Sequence, residues 1–298
     1  MEKKLIVVTG GAGFLMRNFI EQYGVNYDIV APRSTDVNWV TGQGVNSLPH
    51  EPDILIHSAA IYGGLVFNQK YPEKILLDNT RISANVFEYV IDAKPKKFIS
   101  IGSACAYPGN ATGVLDESML GSGRMEHTVE LYALNKLWML AASERLLSDW
   151  THLVLANMYG PYDHTELDKS HVTSALIHKF IAAKHNNTDV NLLGTGESYR
   201  SLTFVKDVCD VINYFVLNPG INGAINVGHD AGISIREMAH TIADIVEFKN
   251  NIIWGDAADN GARMKVLDYT KLNQLYPARQ QTSLRDGLAA TIKYIAEK

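Results

Sequence analysis

Apolar and polar positions along the chain alternate between two patterns. Leu5–Val8, Asp28–Ala31, Asp53–His57, Lys97–Ile101 and His152–Ala156 are short runs rich in Val, Ile and Leu, most of them flanked by Gly, Pro, Asn or Asp. Runs of that kind mark strands buried on both faces of a parallel sheet. Between them, Phe14–Tyr23, Glu73–Ile91 and Val129–Leu147 repeat their apolar residues with helical spacing. The segment between the second and third strands is too short for a full crossover helix, so the covering helix there reduces to a turn. This alternation predicts an α/β fold, a Rossmann-type doubly wound parallel sheet with helices on both faces. After about residue 160 the strands shorten (190–193, 202–205, 224–227) among helices at 206–217, 235–247 and 284–296. We expect a dinucleotide-binding domain over 1–160 and a smaller α/β lobe for the substrate over 161–298, with the chain crossing between them.

Composition narrows the function. The chain has 298 residues, 46% hydrophobic and 20% charged, which excludes general disorder. A net charge of −5, without a long Lys/Arg run, excludes a nucleic-acid binder. No apolar run has the length of a membrane span, and the N-terminus runs straight into an apolar strand and a glycine turn. The expectation is a cytoplasmic protein with no membrane partner. Two cysteines, Cys105 and Cys209, make no disulfide framework, and no metal-type Cys/His spacing occurs.

Candidate chemistry begins at Gly10-Gly11-Ala12-Gly13, between the first strand and the first helix. Glycine there lets the backbone approach a pyrophosphate, and the helix N-terminus supplies N–H groups and partial positive charge. The third glycine position of this fingerprint is Met16, which must either push the helix outward or find an unusual gap. About 20 residues on, where an acidic residue would hold a bare ribose, the chain has Arg33-Ser34. A guanidinium and a hydroxyl suit a 2′-phosphate, so NADPH is expected over NADH. Tyr132 and Lys136 stand four apart on a helix and share a face. An ammonium beside the phenol would lower its pKa and let it exchange a proton near neutrality. Ser103, just past the fourth strand, can hydrogen-bond the oxygen that Tyr132 serves. In an extended segment Ser103 and Cys105 would point to one side. A thiol and an imidazole both titrate near enough to neutrality to move carbon-bound protons.

Thr9-Gly10-Gly11-Ala12-Gly13-Phe14, Ser103, Tyr132/Lys136 and Tyr159-Gly160-Pro161 together resemble the extended short-chain dehydrogenase/reductase family of nucleotide-sugar epimerases, dehydratases and reductases. Within it, Ala59-Ala60-Ile61-Tyr62-Gly63-Gly64, Ser103–Pro108, Ala156–Asp163, Lys169-Ser170-His171-Val172, Gly194–Gly196, Arg200 and Lys265–Asp268 are most similar to the GDP-L-fucose synthase branch. The resemblance implies an NADPH-dependent 3,5-epimerase and 4-reductase of GDP-4-keto-6-deoxy-D-mannose. Ser103, Tyr132 and Lys136 would reduce, and Cys105 and His171 would epimerise. It implies cofactor contacts from Gly10, Gly11, Gly13, Phe14, Leu15, Arg33, Ala59, Ala60, Tyr132, Lys136, Asn157, Tyr159 and His171. Ser103, Cys105, Asn157, Arg200 and Lys265 would contact the substrate. It also implies a homodimer through a four-helix bundle, for which Val86, Phe87, Val90, Leu137 and Leu140 supply surplus apolar surface. Ala104 and the segment Tyr199–Thr203 depart from that branch. A 4-keto reductase or epimerase of another nucleotide-linked sugar, such as a GDP-heptose, is the alternative within the fold. A nicotinamide-binding regulator without turnover is the alternative from another class, disfavoured because a sensor has no use for Ser103, Tyr132 and Lys136.

Overall fold

The computed structural model describes residues 2–163, 172–229, 232–257 and 264–297, with Leu65, Val66, Met264 and Lys265 described by backbone alone. The first half reads β1 (Leu5–Thr9), α1 (Phe14–Tyr23), β2 (Asp28–Val30), β3 (Ile54–His57), α2 (Leu65–Lys70), α3 (Pro72–Ala93), β4 (Lys97–Ile101), β5 (Val114–Leu115), α4 (Glu130–Leu146), β6 (Trp150–Leu155) and β7 (Asn157–Tyr159). Then follow α5 (Val172–Asn186), β8 (Val190–Leu192), β9 (Tyr199–Phe204), α6 (Val205–Leu217), β10 (Gly223–Val227), β11 (Gly232–Ser234), α7 (Ile235–Ile245), β12 (Ile252–Trp254), β13 (Met264–Leu267), α8 (Thr270–Leu275) and α9 (Leu284–Ala296).

A six-stranded parallel sheet in the order β10-β6-β4-β3-β1-β2 forms the centre. Its alternating residues feed two cores. Ile6, Val8, Ile54, Ile56, Ile99 and Leu153 face α1 and α6. Val7, Leu55, Phe98 and Trp150 face α3 and α4. The link from β2 to β3 carries only a single-turn helix at Val45–Ser47, as its length required. Strand β10 and helix α6 follow residue 160 in the chain yet pack with the first body, β10 beside β6 and α6 on α1. A second sheet, β11-β9-β13-β5 with β7 paired to β9, and the pair β12–β8 belong with α5, α7 and α9 to the smaller lobe. Among the described residues no helix is long and apolar enough to cross a membrane.

Met16 is wholly buried, its side chain part of the core between α1 and the sheet. Val86, Phe87 and Val90 do not supply outward apolar surface: α3 is wedged between the sheet and α4, and all three are buried in that core. The exposed apolar side chains are Leu76, Leu77 and Ile91 on α3 and Leu134, Trp138 and Leu146 on α4.

One row across the sheet is polar. Thr9, His57, Ser100 and His152 are register partners on adjacent strands β1, β3, β4 and β6, on the face covered by α3 and α4. All four are buried. Thr9 Oγ1 lies 2.8 Å from His57 Nδ1, and Ser100 Oγ 2.7 Å from His152 Nδ1. Thr9 Oγ1 also accepts the N–H groups of Ser58 (3.1 Å) and Ala59 (3.0 Å). With its lone pairs engaged, the Thr9 hydroxyl must donate to Nδ1, so neutral His57 carries its proton on Nε2.

Burial, and then the charge of Lys136, hold both imidazoles down at about 3. The ordinary value is 6.5, so the unfolded chain binds the more protons between the two. Their contribution to stability is whole above about 6.5 and is lost as pH falls toward 3. Urea unfolding at steps from pH 7 to pH 4.5 should show stability falling with pH, and His152→Gln should flatten that slope by up to about one proton. Identical slopes for the two proteins would contradict this assignment.

Candidate active site

The carboxyl ends of β1, β3, β4 and β6 open into a cleft of about 430 Å³. Parallel sheets bind ligands at that end because their strand-to-helix turns converge there. Gly10, Gly11, Gly13, Phe14 and Leu15 line its floor, Ala59 and Ala60 one wall, and Ser103, Cys105, Tyr132, Lys136 and Asn157 the far end. Pro32, Ser34, Val37 and Trp39 border the opposite end.

The glycine turn is shaped for a ligand. Gly10 has φ +71°, and a Cβ there would lie 2.9 Å from both the Cα and N of Ala59. A Cβ on Gly11 would lie 2.7 Å from that of Ala31. No side chain caps α1 at Gly13, which leaves the positive end of the helix turned to the cleft. A pyrophosphate fits this cradle: the backbone can come close and the dipole favours the anion.

At the far end, Lys136 is buried and its Nζ donates to Ile101 O at 2.8 Å. Its Nζ is 5.2 Å from the centre of the Tyr132 ring. Burial brings the lysine down to about 8, against a smaller upward pull from Cys105. The Tyr132 phenol is pushed well above its usual range, by burial first and then by the negative charge that Cys105 and Tyr62 would carry. This corrects the expectation of a phenol poised near neutrality: the ammonium spends a hydrogen bond on Ile101, and burial prevails. The phenol therefore keeps its proton at neutral pH. Tyr62 packs on Tyr132 with ring centres 4.8 Å apart, a contact that sequence reading did not single out.

Ser103 and Cys105 both line the cleft, though not along an extended segment. Ala104–Ala106 is a single helical turn capped by Ser103, whose Oγ accepts the Cys105 N–H at 3.2 Å. Serine at a cap competes for the backbone in this way, and the bond holds the two groups on one turn.

Other candidates lie elsewhere. Arg33 is exposed just past β2 and does not line the cleft, whereas its neighbour Ser34 does. Tyr159 is buried in the core of the smaller lobe against Phe204. Arg200 sits half-buried on β9, its guanidinium bonded to Tyr199 O at 2.7 Å and its pKa lowered by burial. The backbone of Lys265, on β13, pairs in register with Arg200. His171 lies outside the described residues.

Known proteins resemble this chain over its whole length. The profile of the NAD dependent epimerase/dehydratase family matches residues 6–228. A GDP-L-colitose synthase of Yersinia pseudotuberculosis is 27% identical over 299 residues, covering 97% of each chain. The GDP-L-fucose synthase of Escherichia coli is 29% identical over 317 residues, covering 100% of this chain and 98% of its own. In fold, the chain matches the crystal structure of a GDP-L-fucose synthetase from Naegleria fowleri bound to NADP. That match has a TM-score of 0.89 at 23% identity, over 100% of this chain and 95% of that one.

Gly10→Ala should weaken binding of a nicotinamide dinucleotide by about tenfold or more, because the added Cβ meets backbone and the positive φ is strained, by about 1–3 kcal/mol. Fluorescence titration and the thermal midpoint measure the two effects. Undiminished affinity in a folded variant would mean that the turn does not carry the dinucleotide.

Proposed function

The chain belongs to the NAD dependent epimerase/dehydratase family, and from that premise we propose an NADPH-dependent 3,5-epimerase and 4-reductase of a GDP-linked 4-keto-6-deoxy sugar, of the GDP-L-fucose synthase type. One observation carries the reading: the glycine cradle, Ser103, Cys105, Tyr132 and Lys136 share a single cleft. The names of the relatives support the GDP-sugar substrate. Ser34 at the mouth of the cleft, with Arg33 beside it, supports the 2′-phosphate of NADPH.

When bound, the nicotinamide supplies a hydride. Tyr132 gives its proton to the C4 oxygen as charge develops there. Ser103, having accepted the Cys105 N–H, retains its own hydroxyl proton to donate to that same oxygen. The Lys136 ammonium offsets the negative charge left on Tyr132. Before reduction, Cys105 and His171 move protons at C3 and C5, which the neighbouring ketone acidifies. Asn157 contacts the ligand from the cleft, and Arg200 with Lys265 would engage the nucleotide diphosphate from the second sheet. Work of this kind on a nucleotide sugar belongs in the cytoplasm.

The assembly we propose is a homodimer in which α3 and α4 pair across a two-fold axis into a four-helix bundle. Leu76, Leu77 and Ile91 fall within one stripe of α3, and Leu134, Trp138 and Leu146 within one stripe of α4, all exposed. An apolar stripe repeated by symmetry covers itself.

Two experiments test these readings. In deuterated water without a reducing cofactor, the protein should wash deuterium into C3 and C5 of GDP-4-keto-6-deoxymannose, and Cys105→Ser should not. Tyr132→Phe should keep the exchange but lose about 10²–10⁴-fold in NADPH oxidation. Reduction without deuterium at either carbon would leave a plain 4-reductase, and faster turnover with NADH would remove the phosphate assignment. For the assembly, Trp138→Lys with Leu77→Lys should give a monomer by light scattering at micromolar concentration. A native protein that is monomeric under those conditions contradicts the bundle.

A further inference from the structure

The Ile101–Gly102 peptide is held from every side. Its carbonyl accepts Lys136 Nζ at 2.8 Å. Its N–H donates to Leu153 O of β6 at 2.7 Å. Against its far end lies the His152 ring: a Cβ on Gly102 would stand 2.4 Å from Nε2 and 2.9 Å from Cδ2. Only a glycine lets the imidazole lie so close. The opposite nitrogen of that ring is tied to Ser100 Oγ one strand away. His152 and Lys136 thus flank one peptide, and the next residue along is Ser103.

Lys136 has an unusual setting. It is buried, and among the described residues no carboxylate forms an ion pair with it. The titratable groups around it are His57 of β3, His152 of β6, Tyr132 of its own helix, Tyr62 after β3 and Cys105 after β4. Two of these groups, His57 and His152, can hold a positive charge as the lysine does, and among the described residues no carboxylate forms an ion pair with any of the three. The Lys136 charge is one of the causes that keep His57 and His152 neutral, so the cluster holds one cation, on the lysine. A neutral imidazole still offers a polar wall, which an aliphatic side chain of the same volume would not.

We propose that the Ser100–His152 pair is a positioning device for Lys136: a hydroxyl-anchored neutral imidazole that fixes the Ile101–Ser103 turn and forms the polar floor under the ammonium. It deepens the reading above, since it rests on Lys136 serving proton transfer with Tyr132. The pair touches neither sugar nor cofactor. It acts by holding the lysine's acceptor and the serine's backbone in one place, and by keeping the floor polar without adding charge.

The lysine itself reports on this. Lysines labelled at Cε, with the Lys136 signal assigned by its absence in Lys136→Arg, are titrated by NMR in the protein without sugar or cofactor. The native midpoint should lie near 8. His152→Leu should lower it by about one unit, because an aliphatic floor further disfavours the charged form. His152→Gln should hold it near the native value, and His152→Glu should raise it by about one unit through the added negative charge. Equal midpoints in His152→Leu and His152→Gln, both of which conserve volume, would overturn the proposal, as would a folded His152→Glu with the native midpoint. No turnover enters the measurement. A protein inactive on every GDP-sugar would therefore refute the proposed reaction and leave this result standing, while a failed titration with normal turnover would refute the positioning role alone.

Discussion

The constraint on which the site depends is a lysine ammonium that is buried with no carboxylate paired to it among the described residues. A buried carboxylate would stabilise the charge and remove it from the chemistry; an apolar pocket would expel the proton. The fold takes a middle course, giving Lys136 one backbone carbonyl from the end of β4 and two neutral imidazoles nearby. That choice has consequences through the sheet. Hydroxyls must stand beside the imidazoles to fix them, so Thr9 and Ser100 occupy strand positions that would otherwise be aliphatic. Gly102 must lack a side chain so that His152 can reach the peptide. A polar row through the centre of a parallel sheet is costly unless every member is satisfied, and the Thr9–His57 and Ser100–His152 bonds limit that cost.

The two ends of the cleft are built by different means. At the dinucleotide end the backbone does the work: Gly10 and Gly11 approach Ala59 and Ala31 so closely that no side chain fits, and the N-terminus of α1 is uncapped. At the other end side chains do it, on a capped helical turn (Ser103, Cys105) and on one face of α4 (Tyr132, Lys136). The first kind of site tolerates little change in backbone path. The second can be retuned residue by residue, which is how one fold serves many substrates.

This difference decides what was legible in the sequence. The glycine turn between a buried strand and an amphipathic helix announces itself, because few other conformations use that composition in that order. Tyr132 and Lys136 were legible because helical spacing alone puts them together. The turn at Ala104–Ala106 was not, since a Ser cap and an extended strand end read alike over three residues. Helix α5 carries no clear sequence signal: Leu176, Ile177, Phe180 and Ala183 are buried while Ile181 packs partly as well, so its apolar residues do not form one clean stripe. The place of β10 beside β6 is a pairing across some 70 residues that no local pattern encodes. The polar row was invisible for the same reason. Thr9, His57, Ser100 and His152 are scattered in sequence and meet only through strand register.

Charge order in the cluster also bears on the order of chemistry. A thiolate at Cys105 raises both the Tyr132 phenol and the Lys136 ammonium. While the cysteine is ionised, the tyrosine therefore holds its proton harder and the lysine remains charged. Loss of a second proton, from the phenol, would put two anions beside a single cation at low dielectric, which Coulomb repulsion opposes. The site thus favours one anion at a time. In the reaction proposed above, proton exchange at carbon through an ionised Cys105 would leave the tyrosine its proton, and the phenol would give that proton to the C4 oxygen more readily once the thiol is restored. The same few charges would then place epimerisation before reduction without a separate gate.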